Sequence, residues 1–298
     1  MAEDFHGFKV KSLDNGFLRL DYLVTAGPRL VRLFRAGSDE NLFADVHDLV
    51  VPTPYGEYSF LGGHRLWHAP EDMPGSYVPD NSGVRPESLP DGVRLVGPAE
   101  APTGIAKAIE VRLVPGRAAA TLRHELRNDG PAPVELAPWA LTQLRLGGLA
   151  VLPLPAGPVD AAGLLPNRQL TFWPYTSFHD PRLQLEDAAV LVRAQAQLPP
   201  VKVGCRSPDG WLGYWNAGTF FVKRFDFEPG KPYPDFGCSA EAFCNHRFLE
   251  LESLGPLVVL QPGGSVFHTE TWELYPGWDL PFVPESIRDL LRQAPGIP

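Results

Sequence analysis

Proline and glycine are spread along the whole sequence, and they constrain the fold more than any other feature. The chain has 33 prolines and 29 glycines among its 298 residues. Both residue types break or weaken helices, so a bundle of long helices is excluded. Aromatic residues make up 11% of the chain, which argues against disorder because they supply apolar surface for a core. Many short strands joined by turns satisfy both conditions, and the sequence predicts an all-β fold.

Segments rich in branched and aromatic residues recur from one end of the chain to the other. Asn128, Asp129 and Gly130 tolerate positive φ, and they predict a hairpin between two of these segments. The spacing of segments and turns favours antiparallel sheets over βαβ units. The predicted strands are residues 16–24, 30–34, 106–114, 118–127, 134–146, 211–214, 219–227, 246–254, 257–260 and 265–275.

Three further features complete the predicted organisation. Residues 71–104 are rich in Pro, Gly, Ser and Asp, and we expect a long loop of the kind that often carries function. Residues 284–293 place apolar side chains at helical spacing behind a proline, which predicts a short C-terminal helix. No linker-like stretch divides the sequence, so residues 1–298 are expected to form a single domain.

Charge and cysteine content limit the partners and the compartment. The formal charge of −9 opposes binding to nucleic acid, which requires clustered Lys and Arg. No run approaches 18 apolar residues, and the start lacks the features of a signal peptide, so no membrane association is expected. Cys205, Cys238 and Cys244 lack metal-ligand spacing, and they predict reduced thiols in a cytoplasmic protein. The oligomeric state has no signature in the sequence.

Several common catalytic motifs are absent from the sequence. It contains no G-x-S-x-G elbow and no glycine-rich phosphate-binding motif, so serine hydrolysis and nucleotide chemistry are not expected. His6, His47, His179 and His268 have no companions at a spacing typical of a site, and no metal site is expected.

Two glutamates share one face of the predicted strand at residues 246–254. Side chains alternate along a strand, so Glu250 and Glu252 point the same way as Phe248 and Leu254. A solvated sheet face would account for this arrangement. Alternatively, the two carboxylates lie in a cleft, where burial raises the pKa of one of them and fits it to acid–base chemistry.

Residues 60–71 form a second candidate, in which two glycines precede two histidines, an arginine and a tryptophan. Glycine lets the backbone approach a ligand closely. His64 and His68 have helical spacing, but the nearby glycines and proline oppose a helix and weaken a zinc interpretation. Arg65 and Trp67 suit a sugar, because arginine donates forked hydrogen bonds and an indole stacks on apolar sugar faces. The alternative is a loop in which Trp67 belongs to the core.

Lys223 is a third candidate, since it is the one charge on a predicted strand face with Phe221 and Phe225. Such a lysine either extends outward to solvent or meets an anion or a hydroxyl in a pocket. Asp235 and Glu241 are its candidate partners. The same lysine leaves a phosphorylated or acidic sugar open as ligand.

The order of several segments resembles the galactose mutarotase-like (aldose 1-epimerase) superfamily over most of the chain. NGFLRLDY at 15–22, GPRLVRLF at 27–34 and NLF at 41–43 resemble its opening strands. LRHELRNDG at 122–130, followed by VELAPWALTQ at 134–143, resembles its central N-x-G segment. FLELES at 248–253, LQPG at 260–263 and TETWEL at 269–274 resemble its closing strands. The GGHRLW block at 62–67 is most similar to an uncharacterised branch of the superfamily.

The resemblance implies a β-supersandwich of two large antiparallel sheets, whose concave sheet holds a small-molecule sugar. Family mutarotases interconvert aldose anomers: a carboxylate takes the proton of the anomeric hydroxyl, and a histidine protonates the ring oxygen. Glu252 matches the position of the family's base glutamate, with Glu250 as the reserve candidate. No cofactor is expected, because the family's ring opening requires none.

One departure from the family pattern concerns the acid. The family's histidine belongs in the window at residues 138–143, which reads PWALTQ and contains none. Either His64 or His68 supplies the proton from the other side of the cleft, or the chain binds sugar without turning it over. The expected substrate-binding residues are Arg65, Trp67, Trp139, Gln143, Lys223, Asp235, Glu241 and Glu250.

Overall fold

The computed structural model describes residues 4–155 and 157–277, which form strands and connecting loops with very little helix. The first strands are β1 Asp4–Phe5, β2 Phe8–Asp14, β3 Leu18–Leu23, β4 Arg29–Arg35, β5 Asp45–Thr53, β6 Gly56–Ala69, β7 Arg85–Leu89, β8 Gly92–Ala99, β9 Ile105–Leu113, β10 Ala119–Asn128 and β11 Val134–Leu144. The others are β12 Leu149–Pro153, β13 Leu170–Phe172, β14 Leu183–Leu185, β15 Ala189–Arg193, β16 Val201–Cys205, β17 Trp211–Asn216, β18 Thr219–Phe225, β19 Ala240–Cys244, β20 Leu249–Leu254, β21 Val258–Leu260 and β22 Ser265–Pro276.

Helical structure in the described ranges is confined to a 3-10 turn, Gly75–Tyr77, and one helical turn, α1, Pro234–Gly237. Neither has the length and apolarity that a helix needs to cross a bilayer. The predicted C-terminal helix at residues 284–293 lies outside the described residues.

The strands form two large antiparallel sheets, which confirms the predicted all-β architecture. In the described ranges the first sheet has the order β1-β2-β3-β4-β6-β11-β20-β19-β16-β13, and β5 and β21 pair at its margins with β6 and β11. The second sheet has the order β14-β15-β12-β17-β18-β22-β10-β9-β8-β7.

The two sheets pack face to face through one large apolar cluster. Leu249 and Leu251 of β20 meet Leu122 of β10 and Phe221 of β18 in this cluster, and all four are 0% exposed. Because side chains alternate along a strand, the intervening residues of the first sheet point away from the second sheet. We call this side of the first sheet its outer face, and it carries the candidate site.

One prediction about the connections is wrong, and a second, that residues 71–104 are mostly loop, holds only in part. The turn at Asn128 does not form a hairpin, because β10 pairs with β9 and β22 whereas β11 pairs with β6, β20 and β21. The chain crosses between the sheets here, and the Asn128 side chain donates to the carbonyl oxygens of Ala132 and Leu260 at 2.8 and 3.0 Å. Residues 71–104 contain the hairpin of β7 and β8. Their proline content hid these strands. Pro86 lies in the edge strand β7, and Pro98 lies where the register between β8 and β9 shifts, and both are positions that tolerate proline.

Residues 60–69 form part of the long strand β6 and are not a loop. Gly62 and Gly63 have φ of +91° and +71°, and they approach neighbouring backbone instead of the ligand expected from the sequence. A Cβ on Gly62 would lie 1.9 Å from the Ala44 carbonyl oxygen, and one on Gly63 would lie 2.0 Å from that of Leu30. The strand continues past this irregularity and directs Arg65 to the outer face.

Candidate functional site

A cavity of about 380 Å³ opens on the outer face of the first sheet. Residues of β5, β6, β11, β16, β19 and β20 line it, together with residues between strands at 71–77, 173–175, 200 and 245–248. Its main aromatic lining residues are Phe60, Trp67, Tyr77, Trp139, Trp173 and Tyr175. Such a volume, with mostly apolar walls and a few polar groups, is typical of a small-molecule site.

The aromatic side chains brace one another and form a fixed wall. The ring centroids of Trp67 and Trp139, on adjacent strands, lie 5.4 Å apart, and those of Trp67 and Tyr77 lie 4.9 Å apart. The Trp67 indole also donates a hydrogen bond of 3.1 Å to the Tyr58 hydroxyl. These edge-to-face contacts hold the rings in place, so a ligand would meet an ordered apolar surface.

Arg65 and Glu250 form a buried ion pair in the cavity wall. Arg65 Nη2 lies 3.0 Å from Glu250 Oε1, and Gln143 Nε2 donates to the same oxygen at 3.0 Å. Glu250 is 7% exposed. Burial raises the pKa of Glu250 to about 7, against the opposing charge of Arg65. This carboxyl group therefore exchanges a proton near neutral pH, as an acid–base group must.

Lys202 lines the cavity and is the centre of a second charged group. Its Nζ lies 2.9 Å from one carboxylate oxygen of Glu241 and 2.9 Å from one of Glu252. The Trp139 indole donates to the same Glu252 oxygen at 2.8 Å. Burial alone would lower the pKa of Lys202, but the charges of Glu241 and Glu252 outweigh it and raise that pKa well above its usual value. Lys202 is therefore a fixed cation.

Lys202 also lies against the aromatic wall. Its Nζ is 4.8 Å from the ring centroid of Trp139 and 4.5 Å from that of Trp173. Arg65 makes the equivalent contact with Trp67 at 4.6 Å. Both cations thus lie within the range of cation–π attraction of indoles that line the cavity.

The fold of the chain is found in many solved structures, although no family model and no curated protein matches its sequence. A galactose mutarotase-like protein from Lactobacillus casei superimposes with a TM-score of 0.60 at 12% identity, over 89% of this chain and 100% of that one. The chain has the galactose mutarotase-like fold. The resemblance read from the sequence is thereby confirmed at the level of the fold.

Two further structures show how widely the mutarotase-like fold is shared. A provisionally assigned aldose 1-epimerase from Klebsiella pneumoniae matches with a TM-score of 0.58 at 11% identity, over 98% of this chain and 84% of that one. A TPR-domain containing protein from Parabacteroides distasonis matches with a TM-score of 0.62 at 13% identity, over 93% of this chain. This chain spans only 50% of that protein.

Most of the residues predicted for the mutarotase-like site come together at the cavity. Of these, Arg65, Trp67, Trp139 and Glu250 line it. Directly behind them lie Gln143, Glu241 and Glu252, each 0% exposed. Since Glu250 and Glu252 are both buried, the interpretation of their strand as a solvated face is wrong.

His64 and His68, the two histidines predicted as proton donors, lie outside this group of residues. His64 is 0% exposed and points into the space between the sheets, where its Nε2 lies 2.7 Å from His124 Nε2 and its Nδ1 lies 2.9 Å from Thr142 Oγ1. Adjacent residues of a strand face opposite ways, so a strand that directs Arg65 to the cavity directs His64 away from it. His68 lies on the same side as His64, and burial lowers its pKa to about 3. Neither histidine shares a face with Glu252.

Lys223 is also outside the cavity. It is 0% exposed between the sheets, and its Nζ lies 2.8 Å from Glu270 Oε1. The partners expected from the sequence are wrong, because Glu241 pairs with Lys202 and Asp235 lies in α1. Among the described residues, the lysine that lines the cavity is Lys202, so Lys223 supplies no argument for a phosphorylated or acidic ligand.

Sequence reasoning missed several cavity residues. One of them, Lys202, had a usable signal: it is the one charge in VKVGC, the apolar strand β16, and this is the same pattern that drew attention to Lys223. The loop residues Glu71, Tyr77, Trp173 and Tyr175 had no periodic signal, because their positions depend on how the loops fold over the sheet.

Proposed function

We propose that this chain binds a monosaccharide or a sugar derivative in the cavity on the outer face. The observation that carries the proposal is the pairing of Arg65 with Glu250, both nearly inaccessible, in a wall of ordered indoles. Indole faces pack against the C–H faces of a pyranose, while an arginine and a carboxylate hold its hydroxyls. The mutarotase-like fold of the chain supports the same assignment.

Exchange of sugar anomers is a second candidate, favoured by the pKa of Glu250. As base, Glu250 would take the proton of the anomeric hydroxyl, the C1–O5 bond would break, and the ring oxygen would take up a proton to give the open-chain aldehyde. No histidine lines the cavity within residues 4–155 and 157–277, so the second proton must come from another donor. The phenols of Tyr77 and Tyr175 line the cavity and are the candidates.

We propose Glu250 as the base, and not Glu252, because the two carboxylates have different surroundings. Glu252 is 0% exposed, and the oxygen that faces Lys202 and Trp139 is already held by both. Glu250 reaches the cavity itself. The resemblance to the family implies that the base is Glu252, whereas the geometry favours Glu250, the second candidate.

Ligand-observed NMR with the full chain tests the binding proposal. Neutral aldoses, their 6-phosphates and uronic acids are titrated in turn. We expect saturation transfer to a neutral sugar, and Trp173→Leu should weaken its binding about tenfold because one stacking face is lost. Phe178→Leu is the matched control, since Phe178 lies on the same segment but is 74% exposed and outside the cavity. Binding of no sugar, or equal losses in both variants, would refute the proposal.

Exchange spectroscopy between α and β anomers tests the second candidate on the same samples. Glu250→Gln should retain sugar binding, since an amide oxygen can still accept from Arg65, and should lose any acceleration of exchange. Glu252→Gln should keep the acceleration. Wild-type protein that binds a sugar but does not accelerate exchange would identify a binding protein without turnover. Acceleration that survives in Glu250→Gln would remove Glu250 as the base.

A further inference from the structure

Two histidines and an aspartate meet on the surface, and none of the three lines the cavity described above. His6 Nε2 lies 2.7 Å from Asp45 Oδ2, and His47 Nδ1 lies 2.8 Å from Asp45 Oδ1. The two imidazole rings stack, with centroids 3.4 Å apart and planes inclined by 11°. One ligand atom from each residue lies within 4.8 Å of the others. The sequence offered no companions for these histidines, because His6 and Asp45 are 39 residues apart.

The fold builds this group from a turn and a strand end. His6 and Gly7 form the two-residue turn between β1 and β2, with φ of +51° and +90°. Histidine is one of the residue types that tolerates positive φ. Asp45 begins β5 and pairs with Gly62 of β6, so the backbone fixes its position. His47 follows two residues later, and its amide hydrogen also points at the Asp45 carboxylate.

We propose that His6, Asp45 and His47 form a binding site for a divalent transition-metal ion such as Zn²⁺, Ni²⁺ or Cu²⁺. Two imidazole nitrogens and one carboxylate make a ligand set that suits these ions rather than Mg²⁺ or Ca²⁺, which prefer oxygen. When the ion binds, the protons on His6 Nε2 and His47 Nδ1, which now join the imidazoles to the carboxylate, pass to solvent. The other nitrogen of each ring takes up a proton from solvent, so both imidazoles stay neutral. His6 Nε2 and His47 Nδ1 then each give a lone pair to the ion.

The distances between the ligand atoms of His6, Asp45 and His47 are compatible with the binding of a metal ion. Bonds of about 2.0–2.2 Å to a tetrahedral ion place ligand atoms about 3.3 Å apart, so each contact must widen by about half an ångström. The side chains are 36% to 44% exposed, and they can make this adjustment without disturbing the core. Water can fill the remaining positions.

A second group of possible ligands, His64, His124 and Glu270, makes a useful contrast because it is completely buried. There the ammonium group of Lys223 already lies 2.8 Å from the Glu270 carboxylate and supplies the positive charge. The two histidines are joined directly by a 2.7 Å contact between their Nε2 atoms. A cation would have to displace Lys223, so the surface group is the one we assign to a metal.

Competition with a chromophoric zinc chelator tests the assignment. Wild-type protein should withdraw one equivalent of Zn²⁺ from the chelator, and His6→Ala or His47→Ala should each weaken binding at least tenfold. His179→Ala is the control, since His179 is exposed and separate from the group. Zn²⁺ should also raise the Tm of the wild type and of the control but not that of the double variant His6→Ala/His47→Ala.

NMR of the histidine side chains identifies the atoms involved. In ¹H–¹⁵N spectra, Zn²⁺ should shift the signals of His6 Nε2 and His47 Nδ1, and the His64 and His124 signals should not move. Three results would overturn the proposal: no withdrawal of Zn²⁺ by the wild type, undiminished binding by the double variant, or shifts at His64 and His124 instead. The outcome is independent of sugar binding, since none of these residues lines the cavity.

Discussion

Replacement of Lys223 by methionine should cost this protein much of its stability. The ammonium group is 0% exposed, and its acceptors are Glu270 Oε1 at 2.8 Å and the carbonyl oxygens of Ala140 and Leu251 at 3.1 and 3.2 Å. Lys223→Met retains the apolar stem but leaves the Glu270 carboxylate buried without its cation. Such a loss costs about 3–5 kcal/mol of the free energy of unfolding.

A double-mutant cycle separates the charge effect from a packing effect. Lys223→Met and Glu270→Gln should each destabilise strongly, and the double variant should lose about 2 kcal/mol less than the sum of the two, because neither charge is then left alone. The measurement is guanidinium unfolding followed by tryptophan fluorescence at pH 7, with equal m-values as a check. Lys11→Met, at an exposed position of β2, is the control and should change stability by less than about 0.5 kcal/mol. The reasoning would be refuted if each single variant lost less than about 1 kcal/mol of the free energy of unfolding, or if the loss in the double variant equalled the sum of the two.

Three further predictions concern pH, backbone packing and the candidate site. Burial lowers the pKa of His268 from 6.5 to about 3, so the unfolded chain binds its proton first and stability falls as the pH drops below about 6.5. Urea unfolding should show a loss of about 2 kcal/mol between pH 7 and pH 5 from this residue; unchanged stability would contradict it. Gly63→Ala should cost several kcal/mol by thermal unfolding, whereas Gly37→Ala, with a similar φ of +73° but no neighbour within 4 Å, should cost only about 1 kcal/mol; equal costs would be inconsistent with a steric cause. Lys202→Met should raise the pKa of Glu250 above its value of about 7, because the charge of Lys202 lowers it, and a downward shift in ¹³C carboxyl titrations would disprove the assignment.

Local sequence patterns predicted the strands well where polar and apolar residues alternate without interruption. The segments at 106–114, 118–127 and 219–227 correspond to β9, β10 and β18 within two residues at each end. The long strand β6 was missed, because Gly62 and Gly63 resemble a loop. Their positive φ is a single irregularity in the strand, and only contact with the backbone of the neighbouring strands requires it.

The candidate site was predictable to the extent that it depends on alternation. The alternation of side chains along a strand predicts that Glu250 and Glu252 share one face, and they do so in the structure. The same rule separates His64 from Arg65, but it could not be applied while β6 was taken for a loop. Lys223 and Lys202 have the same local pattern, one charge on an otherwise uncharged strand face, and local sequence cannot tell them apart.

The sequence by itself determined the class of fold, the side-chain composition of each strand and which residues of a strand share a face. These properties follow from turn chemistry and from the alternation of side chains, both of which act over a few residues. The tertiary structure decided which face turns inward, which strands are neighbours and which charges meet. It buried Lys223 between the sheets, placed Lys202 beside the cavity and brought His6 to Asp45. These contacts join residues far apart in the chain, and they exist only after the sheets have paired and packed.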